Sequence, residues 1–332
     1  MHYTGTIWRP PYEADSLLLE VTAGCTHHKC KFCTLYCDLP FKFRMSPIED
    51  IENDLLEAQV LRTNPYSKML IRLQGKDDPD PIRRVFLTGA NPFVLKTEKL
   101  LEIASLIHKY FPSVNSIGCF ARITDSVNKT DDELIRLHRA GYNGLTIGVE
   151  TADNEALAFM RKGYNSKDIL TQCKRLEQAG IEYGFFYLTG ISGKGKGETG
   201  AKASARVFNQ LHPFLIGPNM LTIYPESNLY QEIQNGNWEE ESEIEKYQEL
   251  RTLVENLNIP TYYAAMGASN AFQLRGRLPK DKEQLLETLD RIICEVSDVT
   301  ARNIRIHKIQ AVLRCFVIPL YMRSNCCIGT AE

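Results

Sequence analysis

Short apolar runs rich in β-branched residues alternate with longer amphipathic stretches as far as about Leu250. The runs Leu17–Val21 (LLLEV), Val85–Thr88 (VFLT), Ser116–Phe120 (SIGCF), Leu145–Val149 (LTIGV), Gly184–Leu188 (GFFYL) and Phe214–Ile223 (FLIGPNMLTI) predict six strands. Glycine flanks and few polar residues fit strands buried on both faces of a parallel sheet. Helix signals lie between them. Ser46 opens "SPIED", with proline in the first turn and Glu49 completing a capping box. Thr130 and Glu133 repeat the device, and the segment from Ser166 to Ala179 stops at Gly180.

This alternation predicts an α/β fold, with a parallel sheet either doubly wound or curled into an open barrel. Both arrangements gather ligands at the C-terminal ends of the strands. The unusual loops of the first 200 residues fall there: the cysteines after strand one, "GANP" after strand two, "ARITD" after three, "ET" after four and "GISGKGKGE" after five. Beyond Leu250 the pattern changes. "LRGRLPKDKEQLLETLDRIICEVS" predicts a basic loop and one helix from Lys280 to Val296. The expected division is an N-terminal segment 1–15, a core 16–250 and an extension 251–332 over the barrel mouth.

Composition adds limits. With 43% hydrophobic and 24% charged residues the chain reads as soluble and globular, and a net charge of -2 carries no signature of a polyanion partner. No apolar run approaches the ~20 residues that span a bilayer. The N-terminus has neither the basic start nor the apolar stretch of a secretory signal, so a cytoplasmic protein is expected, without membrane partners. Its ten cysteines are then expected as thiols or metal ligands.

The chemistry concentrates in "GCTHHKCKFCTLY", with Cys25-x4-Cys30-x2-Cys33 and Cys37 four residues on. A structural zinc needs four ligands, and His27, His28 or Cys37 would supply the fourth, but the loop follows a barrel strand rather than sitting in a small metal-dependent domain. A thioredoxin-like pair leaves Cys25 without a role. Unrelated buried thiols fit poorly with lysines and histidines, which mark a polar, accessible loop. An iron–sulfur cluster explains more, since three thiolates leave one iron open for chemistry.

From Ser16 to Pro225 the chain resembles the radical SAM superfamily, whose commonest motif is C-x3-C-x2-C with an aromatic residue before the last cysteine, matched here by Phe32. The first gap is one residue longer. The resemblance implies a partial (β/α)6 open barrel of parallel strands with a mostly helical C-terminal extension. It implies a [4Fe–4S] cluster on Cys25, Cys30 and Cys33, with S-adenosyl-L-methionine (SAM) on the fourth iron. Gly89, Ala90, Asn91 and Pro92 stand where the family often has Gly-Gly-Glu-Pro, so Asn91 keeps an amide oxygen for the SAM ammonium and loses the ionic contact. "IGVET" resembles the strand ending of the branch near methylthiotransferases, coproporphyrinogen dehydrogenases and elongator-type enzymes. By that match Glu150 contacts the SAM amino group or ribose, and Arg122 is placed to meet its carboxylate. The ordinary alternatives are a helix cap for Glu150 and a pairing with Asp125 for Arg122.

The implied reaction is reductive cleavage of SAM to a 5′-deoxyadenosyl radical that takes hydrogen from a substrate, with an electron donor such as flavodoxin or ferredoxin. The chain has no cobalamin-domain motif, no second cysteine nest and no strongly basic RNA module. A small-molecule substrate is therefore expected, with tRNA or porphyrin modification as the alternative and nucleic acid left open as a partner. The contrasting class is a non-catalytic zinc or iron–sulfur protein.

Other features are weaker. "GISGKGKGE" lacks the Ser or Thr of a P-loop, having Gly197 there, so Lys194 and Lys196 are expected in a flexible basic loop. Arg275, Arg277, Lys280 and Lys282 either hold an anionic substrate or tRNA, or form a solvated face. Cys315, Cys326 and Cys327 are expected as free thiols, and Cys119, Cys173 and Cys294 as core.

Overall fold

The computed structural model describes residues 1–73, 75 and 81–315. Its strands are β1 (Leu17–Glu20), β2 (Thr22–Gly24), β3 (Phe43–Met45), β4 (Arg84–Thr88), β5 (Ser116–Ala121), β6 (Tyr142–Glu150), β7 (Tyr183–Thr189), β8 (Leu215–Met220), β9 (Thr261–Ala265) and β10 (Leu274–Leu278). Eight form one sheet in the order β1-β4-β5-β6-β7-β8-β9-β10, and β2 with β3 makes a separate ribbon. All pairings in the large sheet are parallel except β9 with β10. The six predicted strands are its first six members, in chain order.

The sheet continues where the alternation was expected to stop. "LRGRL", read from sequence as a basic loop, is β10, with Leu274, Gly276 and Leu278 buried and the two arginines exposed. Its period-two pattern carries charge on one face, which hides a strand whose other face is buried. The following helix is Lys282–Glu295. Ser46 does not cap the first long helix, which runs Ile48–Thr63 behind Pro47; the Ser46 backbone instead bonds the Val21 carbonyl at 2.9 Å. Thr130 and Glu133 do form their capping box.

Side chains facing the helices make one core. The helix Thr97–Tyr110 buries Leu100, Ile103, Ala104 and Ile107, at helical spacing, into the core that holds Val85, Leu87, Ile117 and Cys119. Each leucine, isoleucine or valine among them contributes about 1.5–3 kcal/mol of burial free energy. Leu145, Ile147 and Val149 of β6 face the same way, which turns Thr146 and Gly148 to the inner face. Cys119 and Cys173 are core as expected; Cys294 is exposed, two positions past the last buried residue of its helix, Ile292. Cys326 and Cys327 lie outside the described residues. Among the described residues no helix is long and apolar enough to cross a membrane.

The N-terminal segment closes the floor of the inner face, at the strands' N-terminal ends. Glu13 is fully buried, and its carboxylate accepts from Arg84 Nε at 2.8 Å and Nη2 at 2.6 Å. Arg84 Nη1 also donates to Ser116 Oγ and to the Asn143 carbonyl. Tyr12 shares a 2.6 Å hydrogen bond with Thr146 Oγ1. With the floor filled, access to the inner face is left at the strand C-termini.

Candidate active site

The cysteine loop is shaped by backbone requirements. Gly24 has φ +82°, and a Cβ there would lie 2.2 Å from the Lys42 carbonyl oxygen, so only glycine lets β2 and β3 meet before the loop. The Cys25 amide then bonds that same carbonyl at 2.9 Å, and the Cys33 amide bonds the Cys30 carbonyl at 3.2 Å in a tight turn. Phe32 packs with Met160, Ile191, Leu221 and Leu229, anchoring the loop in a small apolar cluster of its own.

Lys31 is not a solvated loop lysine. It is buried, pairs with Glu232 at 2.7 Å and lies 3.8 Å from the centre of the Phe159 ring. His27 Nε2 donates to the Arg161 carbonyl at 2.6 Å, and burial lowers its pKa. His28 lies 3.6 Å from the Cys37 thiol. Both histidines therefore act as ties within the loop and to the chain after β6.

Cys25, Cys30 and Cys33 are partly buried, whereas Cys37 is exposed. Burial raises the Cys30 thiol pKa against the lowering pull of Lys162 and Arg122, and pushes Cys33 up to about 12. Among the described residues no three His, Cys, Asp or Glu side chains stand close enough to hold a single metal ion. Cluster thiolates attach to separate irons and need no such convergence. Three thiols on one loop, two cations near Cys30 and an apolar anchor beneath fit an iron–sulfur cluster.

The other strand ends form a polar rim. At the end of β4, Gly89 has φ +127°, and a Cβ would sit 1.9 Å from Thr22 Oγ1. Among the described residues that hydroxyl is buried without a hydrogen-bond partner, which leaves it available to a polar group entering the recess beside Gly89. Asn91 is fully buried; its amide nitrogen donates to Thr26 Oγ1 at 2.8 Å and Asp125 Oδ1 at 3.1 Å. Among the described residues its oxygen takes only a long 3.4 Å bond from the Thr26 amide. Asn91 thus ties the cysteine loop to the loop after β5. Burial raises the Asp125 carboxyl to about 6, against the Arg122 amide and Asn91 bonds that lower it.

Arg122 meets Asp125 through its backbone, its amide donating to Oδ2 at 2.8 Å and its carbonyl accepting from the Asp125 amide at 3.0 Å. Its guanidinium donates to Thr124 Oγ1 at 3.1 Å and the Lys162 carbonyl at 2.5 Å. Glu150 ends β6 at φ +63°, where the register with β7 shifts, and this irregularity re-aims its side chain. It pairs with Lys162 Nζ at 3.1 Å instead of capping the next helix, whose cap is Asp153.

Lys162 is the residue that sequence reasoning missed. It is buried, donates to the Gly148 carbonyl at 3.1 Å, and lies 5.7 Å from the Phe32 ring centre and 5.6 Å from that of Tyr164. Burial alone would lower its pKa, but Glu150, Tyr164 and Cys30 outweigh that and hold it above the ordinary lysine value. In sequence it is one of two basic residues before a glycine, like many at helix ends.

The glycine loop after β7 is pinned. Lys194 pairs with Glu239, and Lys196 lies 3.5 Å from Glu155. A Cβ on Gly197 would lie 2.4 Å from Glu241 Oε1, so a buried carboxyl fills the space at this helix start where a P-loop holds phosphate.

An open parallel barrel with a three-cysteine loop after its first strand and a charged rim is built to carry a cluster and a small organic cofactor. The chain belongs to the radical SAM superfamily, which matches residues 19–200, more than half of its length. A [4Fe–4S] cluster and SAM are the cofactors of this superfamily. Heme chaperone HemW of Bacillus subtilis (strain 168) is 24% identical over 153 residues, covering 46% of this chain and 38% of that protein. Coproporphyrinogen III oxidase (HemN) from Escherichia coli, a radical SAM enzyme, superposes with a TM-score of 0.52 at 16% identity, covering 72% of this chain and 51% of HemN. Methylornithine synthase (PylB) gives 0.49 at 16% identity, covering 74% of this chain and 64% of PylB. The chain thus spans less than two thirds of each of these proteins, and the HemN likeness is one of fold.

Proposed function

We propose that Cys25, Cys30 and Cys33 hold three irons of a [4Fe–4S] cluster and that SAM lies between it and the rim formed by Gly89, Ala90, Asn91, Arg122 and Glu150. When bound, the cluster and SAM supply a 5′-deoxyadenosyl radical for hydrogen abstraction. The observation that carries this reading is the gathering of the cysteine loop, Arg122, Glu150 and Lys162 at one end of the sheet. Arg122 offers its guanidinium to the carboxylate of SAM, and Glu150 accepts from its amine or ribose. Lys162 positions Glu150 and places positive charge beside Cys30, favouring the thiolate. Phe32 seals the loop against water from below. The substrate on this reading is a small molecule held on the inner face, and a small redox protein delivers the electron.

Anaerobic purification tests this. The expected result is a brown protein with about four irons, releasing 5′-deoxyadenosine from SAM on addition of dithionite. Zinc in place of iron, or iron without SAM cleavage, contradicts it. A second reading, tetrapyrrole handling, is supported by the name of the HemW relative. Titration with hemin tests it, and a saturable Soret shift is its expected result.

A further inference from the structure

Leu19 and Val21 lie in the core under the helices, so alternation turns Glu20, the last residue of β1, to the inner face. Glu20 stands in register with Thr88, the residue before Gly89. It is 5% exposed. Each oxygen of its carboxylate accepts from Thr4, Oε2 from the amide at 2.8 Å and Oε1 from the hydroxyl, and each keeps a further lone pair. The buried acids Glu13 and Glu243 have Arg84 and Arg305 as partners. Among the described residues no lysine or arginine pairs with Glu20. The basic group beside it is His2, whose Nε2 stands 3.7 Å away while its Nδ1 is bonded to Asp54 at 2.6 Å.

Glu20 is one wall of the recess beside Gly89, which Thr22, Thr88 and Tyr36 also line. Among the described residues neither the Thr22 hydroxyl nor the Tyr36 phenol has a hydrogen-bond partner. Tyr36 belongs to the cysteine loop. Burial raises its pKa, and Cys25, Cys33 and Glu20 add to the rise, so the phenol stands near both the cysteines and the carboxylate. The recess has room for about one water-sized group. That is the size of an amine head and not of an adenosine.

A carboxylate taken out of water is costly unless positive charge meets it. A buried water would satisfy the free hydroxyls but brings no charge to Glu20. Asn91, two residues beyond Gly89, is uncharged, and its amide nitrogen is committed to Thr26 and Asp125. We propose that Glu20 is the acceptor for the α-amino group of SAM, held in the recess between Thr22 and Gly89, while Arg122 takes the carboxylate and Glu150 is left to the ribose. The assignment rests on the reading that SAM binds at this rim.

The test is equilibrium dialysis of the cluster-loaded protein against three ligands: SAM, decarboxylated SAM, and the 2-hydroxy analogue in which a hydroxyl replaces the amine. Loss of a charge-assisted bond predicts that Glu20→Gln weakens SAM and decarboxylated SAM by about tenfold or more, and leaves the hydroxy analogue nearly unchanged. Glu20→Asp keeps the charge and should recover most of the loss. Arg122→Gln should show the opposite pattern, weakening SAM and the hydroxy analogue while sparing decarboxylated SAM. Thermal melting and cluster absorbance establish that each variant folds. A Glu20 that serves only to hold Thr4 would, on substitution, weaken all three ligands together. That result, or unchanged SAM binding in Glu20→Gln, overturns the proposal. Wild-type protein that binds SAM and the hydroxy analogue alike overturns it without any variant. Wild-type protein that loads a cluster but binds none of the three ligands overturns the SAM reading and this assignment together.

Discussion

The two ends of the inner face each set basic side chains against a glutamate, with opposite degrees of completion. At the floor, Glu13 is fully buried, and Arg84 spends its donors on that carboxylate, Ser116, and the Asn143 and Gly144 carbonyls. At the rim, Arg122 donates to one hydroxyl and one carbonyl, and only one oxygen of the partly exposed Glu150 meets Lys162. A saturated pair has nothing left to offer a ligand and serves as a staple. An unsaturated one retains capacity for binding, at some cost in stability.

Breaking the staple should give the largest change in stability. Glu13→Ala leaves the Arg84 charge without its partner and should cost about 3–5 kcal/mol in urea unfolding. A loss below about 1 kcal/mol would mean that the floor pair behaves like a surface ion pair. Lys162→Met should act mainly on chemistry, lowering SAM cleavage by about 10- to 100-fold as positioning partners do. Its melting temperature should fall less than that of Glu13→Ala. The reverse order would place the staple at the rim.

Glu241 sharpens the contrast, because it is buried like Glu13 but its carboxyl meets another carboxyl, that of Glu249, and among the described residues it has no ion pair. Burial and the neighbouring Glu249 push its pKa up to about 9. The folded state therefore holds this proton more tightly than the unfolded chain, and the stability this confers is lost as pH rises through about 9. Glu241→Gln should remove the loss, gaining on wild type in thermal melts between pH 6 and pH 9. Parallel melting curves would show that Glu241 does not titrate with folding.

What was legible in the sequence follows from how local each signal is. The six core strands are apolar runs with period and flanks of their own, and the cysteine loop is a spacing pattern within nine residues. Strand β10 was hidden because Arg275 and Arg277 occupy its open face. The floor was hidden because Tyr12 and Glu13 lie in an aperiodic segment and meet Thr146 and Arg84 only through the fold. Lys162 reaches Glu150 across a helix and a turn, so no spacing rule relates them. Glu150 and Arg122 were placed by resemblance, and the capping and pairing roles that competed for them depended on side-chain directions that only the irregular end of β6 sets.

The most direct test of the account compares two cysteines of one loop, Cys30, partly buried beside Lys162, and Cys37, exposed beside His28. Iron content and dithionite-driven release of 5′-deoxyadenosine are measured anaerobically for Cys30→Ala and Cys37→Ala. The account predicts that Cys30→Ala loses both and that Cys37→Ala keeps both. A Cys30→Ala protein that still cleaves SAM, or a Cys37→Ala protein that loses its cluster, would contradict it.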